Sequence, residues 1–157
     1  MKQAMPSVFQ ILIADSPASP MAFRAEVRAV AGKGLEGDRY LDGNGTFSPH
    51  PQKPDYEITL IEKENIDAFA IETGLPFRAS HARRNLVTQG IDLNALAGRE
   101  FLVGEVRIRG IRLCEPCSYL AGTTFPEVLR GLVHKGGLRA QILTEGIIRV
   151  GDSVVPL

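Results

Sequence analysis

The alternation of apolar and polar positions carries most of the structural information in this chain. From Glu105 to Leu113, charged or small residues alternate with Val106, Ile108, Ile111 and Leu113, the period-2 pattern of a half-buried strand. The alternation slips by one at Gly110, which predicts a β-bulge there. Val8 to Ala14, Ala25 to Val30, Glu57 to Ile61, Arg83 to Thr88, Leu138 to Thr144, Ile147 to Val150 and Ser153 to Val155 read as further short strands. Leu138 to Thr144 and Ile147 to Val150 flank Glu145-Gly146, the pattern of a hairpin. Helical spacing is scarcer. Lys63 to Thr73 puts Ile66, Phe69, Ala70 and Ile71 on one stripe stopped by Gly74 and Pro76. Asp92 to Gly98 reads as one helical turn with Asp92 as N-cap, and Thr124 to Val133 as a helix capped by Thr124 with Glu127 at its third position. Ala31 to Tyr40 is too glycine-rich for either element and reads as a structured loop, and Leu41 to Asp55 as a long exposed connection of the kind that forms lids. Many short strands with few helices predict a mostly β fold, a β-barrel or folded sheet with a few short helices, rather than a βαβ layer.

Length and charge narrow the classes. The 157 residues suit a single domain spanning 1–157, and 18 Lys+Arg against 18 Asp+Glu leave no global basic field, so no nucleic-acid partner is expected. No apolar run approaches the ~20 residues that cross a bilayer, and Pro6 and Gln10 interrupt any signal-like start. The expectation is a cytoplasmic protein without a membrane partner.

Candidate chemistry centres on Arg112-Leu113-Cys114-Glu115-Pro116-Cys117-Ser118-Tyr119, which holds both cysteines of the chain. Pro116 has no N–H to donate, so regular pairing ends there and Cys117 arrives on a strand end. A thiol so placed is a candidate nucleophile, persulfide carrier or soft-metal ligand, with Arg83, Arg84, Arg112, His134 and Lys135 as cations that favour the thiolate. The competing reading is two small buried apolar cysteines. A single Cys-x-x-Cys supplies too few ligands for structural zinc, and a thioredoxin-like role lacks a βαβ context. Arg83-Arg84-Asn85 suits a phosphate or carboxylate clamp, and strand alternation sends Arg83 and Asn85 to one face and Arg84 to the other. Gly32 to Arg39 offers backbone amides to an anion without the lysine of a phosphate-binding loop. His134 and Lys135 are either a proton carrier and cation for the site or ordinary helix C-terminal charges. His50 and His81 read as surface residues.

Taken together, Gly34 to Tyr40, Arg84-Asn85-Leu86-Val87, Ile91-Asp92-Leu93, Leu96-Ala97-Gly98, Phe101 to Glu105, Cys114 to Cys117, Gly137 to Ala140 and Gly146 to Asp152 resemble the MOSC domain, named for the C-terminal part of molybdenum cofactor sulfurases. The resemblance runs from about Val27 to Val154 and is that of a small stand-alone bacterial-type member. It implies a MOSC, pyruvate-kinase-like β-barrel with a pocket centred on Cys117, whose thiol carries sulfur or, as in amidoxime-reducing members, binds molybdenum. It also implies a sulfurtransferase or a protein that binds the molybdenum cofactor (molybdopterin), with a small molecule or a sulfur donor or acceptor protein as partner. Arg83 and Asn85 match the pair that holds the pterin phosphate, and Asp38, Arg39 and Arg139, within the matched motifs, join them as cofactor-binding candidates. Tyr40 stands where the family loop often has histidine, and Cys114 is additional relative to many members. The alternative reading is a non-catalytic module that binds a phosphorylated or thiol-containing small molecule.

Overall fold

A computed structural model describes residues 5–17, 19–43, 45, 48–49 and 53–157. In chain order these form β1 (Ser7–Ile13), β2 (Ala22–Arg24), β3 (Glu26–Val30), β4 (Gly34–Leu35), β5 (Ile58–Glu62), α1 (Lys63–Thr73), α2 (Ala79–Ala82), β6 (Leu86–Gln89), β7 (Glu100–Val103), β8 (Val106–Leu113), α3 (Ser118–Thr123), α4 (Val128–Gly131), β9 (Leu138–Ile142), β10 (Gly146–Arg149) and β11 (Val154–Pro156). An eight-stranded sheet runs β11-β7-β8-β9-β5-β6-β1-β2, and β10-β3-β4 form a second, smaller sheet. The large sheet curls into a half-barrel. Its flanks are stitched by a bridge between Ser7 and Ser153 and by backbone bonds from Val8 N to Asp152 O, Gly151 N to Val8 O and Val154 N to Pro6 O. The mostly β fold expected from the strand pattern is present.

Period-2 alternation divides the large sheet into two faces. Ile58, Leu60, Leu86, Ile108, Leu138 and Ala140 point into the curl and pack with Val27, Phe101 and Ile148 in the main core. Leu12, Ile61 and Val87 point outward into a second core against Ile66 and Phe69 of α1, Leu120 of α3 and Val128 of α4. The bulge foreseen at Gly110 falls between Gly110 and Arg112. A Cβ at Gly110 would lie 2.1 Å from the carbonyl oxygen of Leu96, so the close approach of the neighbouring turn demands glycine.

Several sequence expectations give way to longer-range packing. The hairpin after β9 does not form. Leu143 N and Thr144 N instead donate to Arg107 O, and the chain turns the corner so that β10 pairs with β3 in the other sheet. β5 and β6 are parallel and joined through α1 and α2, so one βαβ crossover exists where none was expected. Arg83 lies beyond α2 with φ 57°, not in a strand, and β6 begins at Leu86. The helix expected over 124–133 shrinks to α4, because the Thr124 hydroxyl donates back to Leu120 O and closes α3, an element the pattern did not show. β2 was also unforeseen, and Ile71 is 81% exposed, outside the apolar stripe of α1. Residues 44, 46, 47 and 50–52 of the expected lid, His50 among them, and the start of the chain lie outside the described residues.

Candidate functional site

The polar counterpart of the outer core is a row that crosses four neighbouring segments of the sheet. Thr59 of β5 pairs with Arg139 of β9, and Arg139 pairs with Arg112 of β8. Asn85, just ahead of β6, adjoins Thr59, accepting from its backbone N–H at 3.1 Å and its hydroxyl at 3.2 Å. This row floors a cavity of about 330 Å³ whose walls come from Arg39 and Tyr40, Tyr56, Arg83 and Arg84, and the Cys114–Leu120 segment. The volume suits a small organic ligand.

The charge of this cavity is lopsided. Arg39, Arg83, Arg84, Arg112 and Arg139 line it against one carboxylate, Glu115. Arg39 is paired with Asp38 at 3.0 Å and Arg112 with Asp55 at 2.8 Å. Among the described residues, Arg83, Arg84 and Arg139 have no carboxylate partner. Burial, and after it the nearby charge of Arg39, lowers the pKa of Arg83 from its ordinary value. Arg112 and Arg139 face each other across adjacent strands, a pair of like charges that Asp55 offsets on the Arg112 side.

Each expected site residue has a defined place. Cys117 is half-buried on the cavity wall and precedes the first turn of α3. Cys114 is buried, its N–H bonded to Gly137 O and its carbonyl accepting from Arg84, and both cysteines are free thiols. Arg83 reaches the cavity, yet its guanidinium donates to the carbonyls of Ser19 and Pro17, both at 3.0 Å. Asn85 contributes to the floor, with its amide nitrogen donating to Leu12 O at 3.2 Å. The alternation argument that separated Arg84 from Arg83 and Asn85 therefore does not hold, since all three line the cavity and all three precede the strand. Asp38 sits behind the wall, where its carboxylate accepts from Ala14 N, Arg39 and Tyr40 N and so aims Arg39. Arg139 is on the floor.

His134 and Lys135 are not brought to the cavity; both are exposed. His134 has φ 59° and faces the Glu115 carboxylate, which lies 2.8 Å from its Nδ1 and accepts its backbone N–H at 2.7 Å. This contact anchors the turn after α4 against the cysteine segment rather than serving the thiol. His81 is half-buried, accepting from Arg78 N and stacked on Phe77.

Arg84, expected as a cation near the thiol and as part of the anion clamp, commits its guanidinium to backbone carbonyls instead. It is buried, and its guanidinium donates to Gly136 O at 2.9 Å, Ala82 O at 3.0 Å and Cys114 O at 3.2 Å, joining three segments of the wall. Gly136 lets them meet, because a Cβ there would lie 2.3 Å from Cys114 O. Thr59 was legible as the outward residue between Ile58 and Leu60. Nothing in the pattern marked Tyr56, which enters through a short 3-10 turn, Pro54–Tyr56.

A family model described as MOSC domain matches residues 45–155. No curated protein matches the chain. Among solved structures, the YuaD protein from Bacillus subtilis superposes with a TM-score of 0.78 at 16% identity, over 98% of this chain and 96% of that one. YiiM from Geobacillus stearothermophilus gives 0.74 at 18% identity, over 97% of this chain and 75% of that one, and YiiM from Escherichia coli 0.67 at 18%, over 100% and 70%. At these identities the likeness is one of fold.

Proposed function

The chain belongs to the MOSC domain family, and from that premise we propose that its cavity binds a ligand of the molybdenum-cofactor type, with Cys117 as the sulfur carrier to it or the ligand of its metal. One observation carries the reading: a half-buried thiol shares a cavity with arginines whose charge the protein itself leaves largely unbalanced. The residues present fit the group. No cluster of three or more His, Cys, Asp or Glu able to hold a metal exists among the described residues, so a metal at Cys117 must arrive with most of its ligands, as the pterin-bound metal does. When bound, it would supply redox chemistry beside the thiol.

The chain's own residues would divide the work. Arg139 and Arg112 on the floor, with Arg39 and Arg83 on the wall, hold and orient the anionic end of the ligand. Arg84 fixes the Cys114 carbonyl and thereby the start of the segment that presents Cys117. As a sulfur carrier, the Cys117 thiolate attacks the terminal sulfur of a donor persulfide. The donor leaves as its thiol; a nucleophilic acceptor in the cavity then attacks the outer sulfur of the Cys117 persulfide, the S–S bond breaks and Cys117 leaves as its thiolate. The test is the elemental and intact-mass analysis of protein purified from its own host. Molybdenum, phosphorus or a sulfur adduct should accompany the wild type and Cys114→Ser and be lost in Cys117→Ser; equal retention by Cys117→Ser would overturn the proposal.

A further inference from the structure

The helical cover of the large sheet stops short of its β11 end. Among the described residues, the outer core draws on Leu12, Ile61 and Val87 of β1, β5 and β6 and on nothing from β7, β8 or β11. In those three strands Phe101, Val103, Val106, Ile108 and Val154 point into the main core, so alternation puts Glu100, Leu102, Arg107, Arg109 and Val155 on the outward face. There Leu102 pairs with Arg107 on one side and Val155 on the other, and Glu100 pairs with Arg109. Beyond the bulge Arg112 returns to this face opposite Arg139, and both line the cavity. Arg107, Arg109 and Arg112 therefore make a row about 13 Å long that starts on open sheet and ends in the cavity of Cys117.

The row carries more charge than its neighbours balance. Arg107 and Arg109 donate to the two oxygens of one carboxylate, Glu100, and Arg112 donates to Asp55, while Arg139 has no carboxylate partner among the described residues. Two carboxylates thus serve four guanidiniums. Despite these bonds the side chains of Arg107, Arg109 and Arg112 stay 50%, 49% and 50% exposed, which leaves part of each five-donor fork open to an incoming acid. Beside them lie half-buried Leu102 and Val155, 45% exposed. Arginine set among aliphatic side chains is the make-up of a protein–protein interface. A nucleic acid would engage the guanidiniums and leave Leu102 and Val155 unmet.

Resting on the reading that Cys117 takes up sulfur from a donor, we infer that the outer face of β11, β7 and β8 is the docking surface for the persulfide-bearing protein that delivers it, and that this partner presents carboxylates interspersed with apolar side chains. Its carboxylates meet Arg107 and Arg109, its apolar groups cover Leu102 and Val155, and the row leads its reactive segment past Arg112 to the thiol.

The test uses the Cys114→Ser chain, whose one remaining cysteine is Cys117. The probe is a synthetic peptide of alternating glutamate and leucine ending in a cysteine activated as its pyridyl disulfide; the control peptide has lysine for glutamate. Attack of the Cys117 thiolate on the peptide sulfur releases pyridinethione, whose absorbance gives the rate. At low ionic strength the acidic peptide should react about tenfold faster than the lysine peptide, and added salt should erase the preference. Arg107→Gln combined with Arg109→Gln and Glu100→Gln removes one net positive charge outside the cavity and strands no carboxylate. This variant and Val155→Asp should each slow the acidic peptide about threefold or more, while iodoacetamide, small and uncharged, alkylates Cys117 at the wild-type rate in both. Equal rates for the two peptides at low salt, a wild-type acidic-peptide rate in both variants, or a parallel fall in the iodoacetamide rate would each overturn the inference. So would stronger inhibition by an oligothymidylate than by an unreactive acidic peptide of equal charge, which would give the face to a nucleic acid. Cys117-dependent retention of molybdenum or sulfur without the peptide preference sinks the docking surface alone, whereas the preference without such retention sinks the proposed function alone.

Discussion

The outer face of the large sheet holds two adjoining regions of opposite character. Along β5 the outward residues are Thr59 and then Ile61; ahead of and within β6 they are Asn85 and then Val87. One step along each strand thus crosses from a polar cavity floor to an apolar surface covered by helices. On the covered side, Ile61 and Val87 pack with Phe69, whose ring meets Phe77 edge-on at 4.9 Å. On the open side, among the described residues, the cavity is lined by the side chains of the wall. The contrast teaches that a site need not be carved into the core: it is made by ending the helical cover one residue pair early and filling the uncovered row with groups that tolerate water.

The largest effect is expected on the covered side. Phe69→Ala should cost about 3–5 kcal/mol in chemical denaturation, since a ring only 2% exposed leaves a void between α1 and the sheet. A loss under about 1 kcal/mol would mean that the helical cover is loosely packed. The next largest effect is a pH dependence from Glu57, buried two residues before Thr59, with its carboxylate accepting from Ile142 N at 2.9 Å. Burial raises its pKa from 4.5 to about 7 against the smaller opposing effect of hydrogen bonds from Ile142 and Gly32. Between those values the folded protein binds more protons at this group than the unfolded chain does, so stability should fall as pH rises from about 4.5 to about 7 and be level above. The change is at most about 3 kcal/mol, and Glu57→Gln should flatten it. A flat wild-type profile would show that the carboxyl is better solvated than its burial indicates.

On the open side, Arg84→Ala should cost about 2–3 kcal/mol by stranding the carbonyls of Ala82, Cys114 and Gly136. It should also alter the alkylation rate of Cys117, which the wall presents. An unchanged rate would confine Arg84 to stability. The smallest effect belongs to the thiol itself. Cys117→Ser should change stability by about 0.5 kcal/mol or less, because the side chain is half-buried, while removing the fast-alkylating thiol of the chain. Equal alkylation of Cys114 and Cys117 in the wild type would erase the distinction between the sealed thiol and the one at the cavity.

What the sequence made legible was what alternation alone decides. The strand from Val106 to Leu113 with its bulge, the Asp92 cap that accepts from Asn94 N, and helix α1 all formed as its pattern requires. The place of Cys117 just past a strand end was likewise readable, from Pro116 before it, whereas a cavity at that point was expected from the family resemblance alone. The misreadings share a cause: they fall where a distant partner outbid local pattern. Glu145-Gly146 looks like a hairpin turn, yet the pairing of β10 with β3 wins. Arg83 looks like the start of a strand, yet two carbonyls near Ser19 hold it in the left-handed region. His134 and Lys135 follow the cysteines closely in sequence, but Glu115 draws the histidine to the outside of the wall. The wall-joining role of Arg84 was hidden because all three of its acceptors are backbone carbonyls, which leave no trace in composition.

The bridge between Ser7 and Ser153 and the few backbone bonds around it join the first strand to the last, while β8, β9 and β5, which floor the cavity, occupy the middle of the sheet. This seam is short and lies at the margin. A molecule tugged by its two ends, or breathing thermally, would unzip there first and keep its cavity floor intact, so loosening of the termini and loss of the cavity are mechanically separate events.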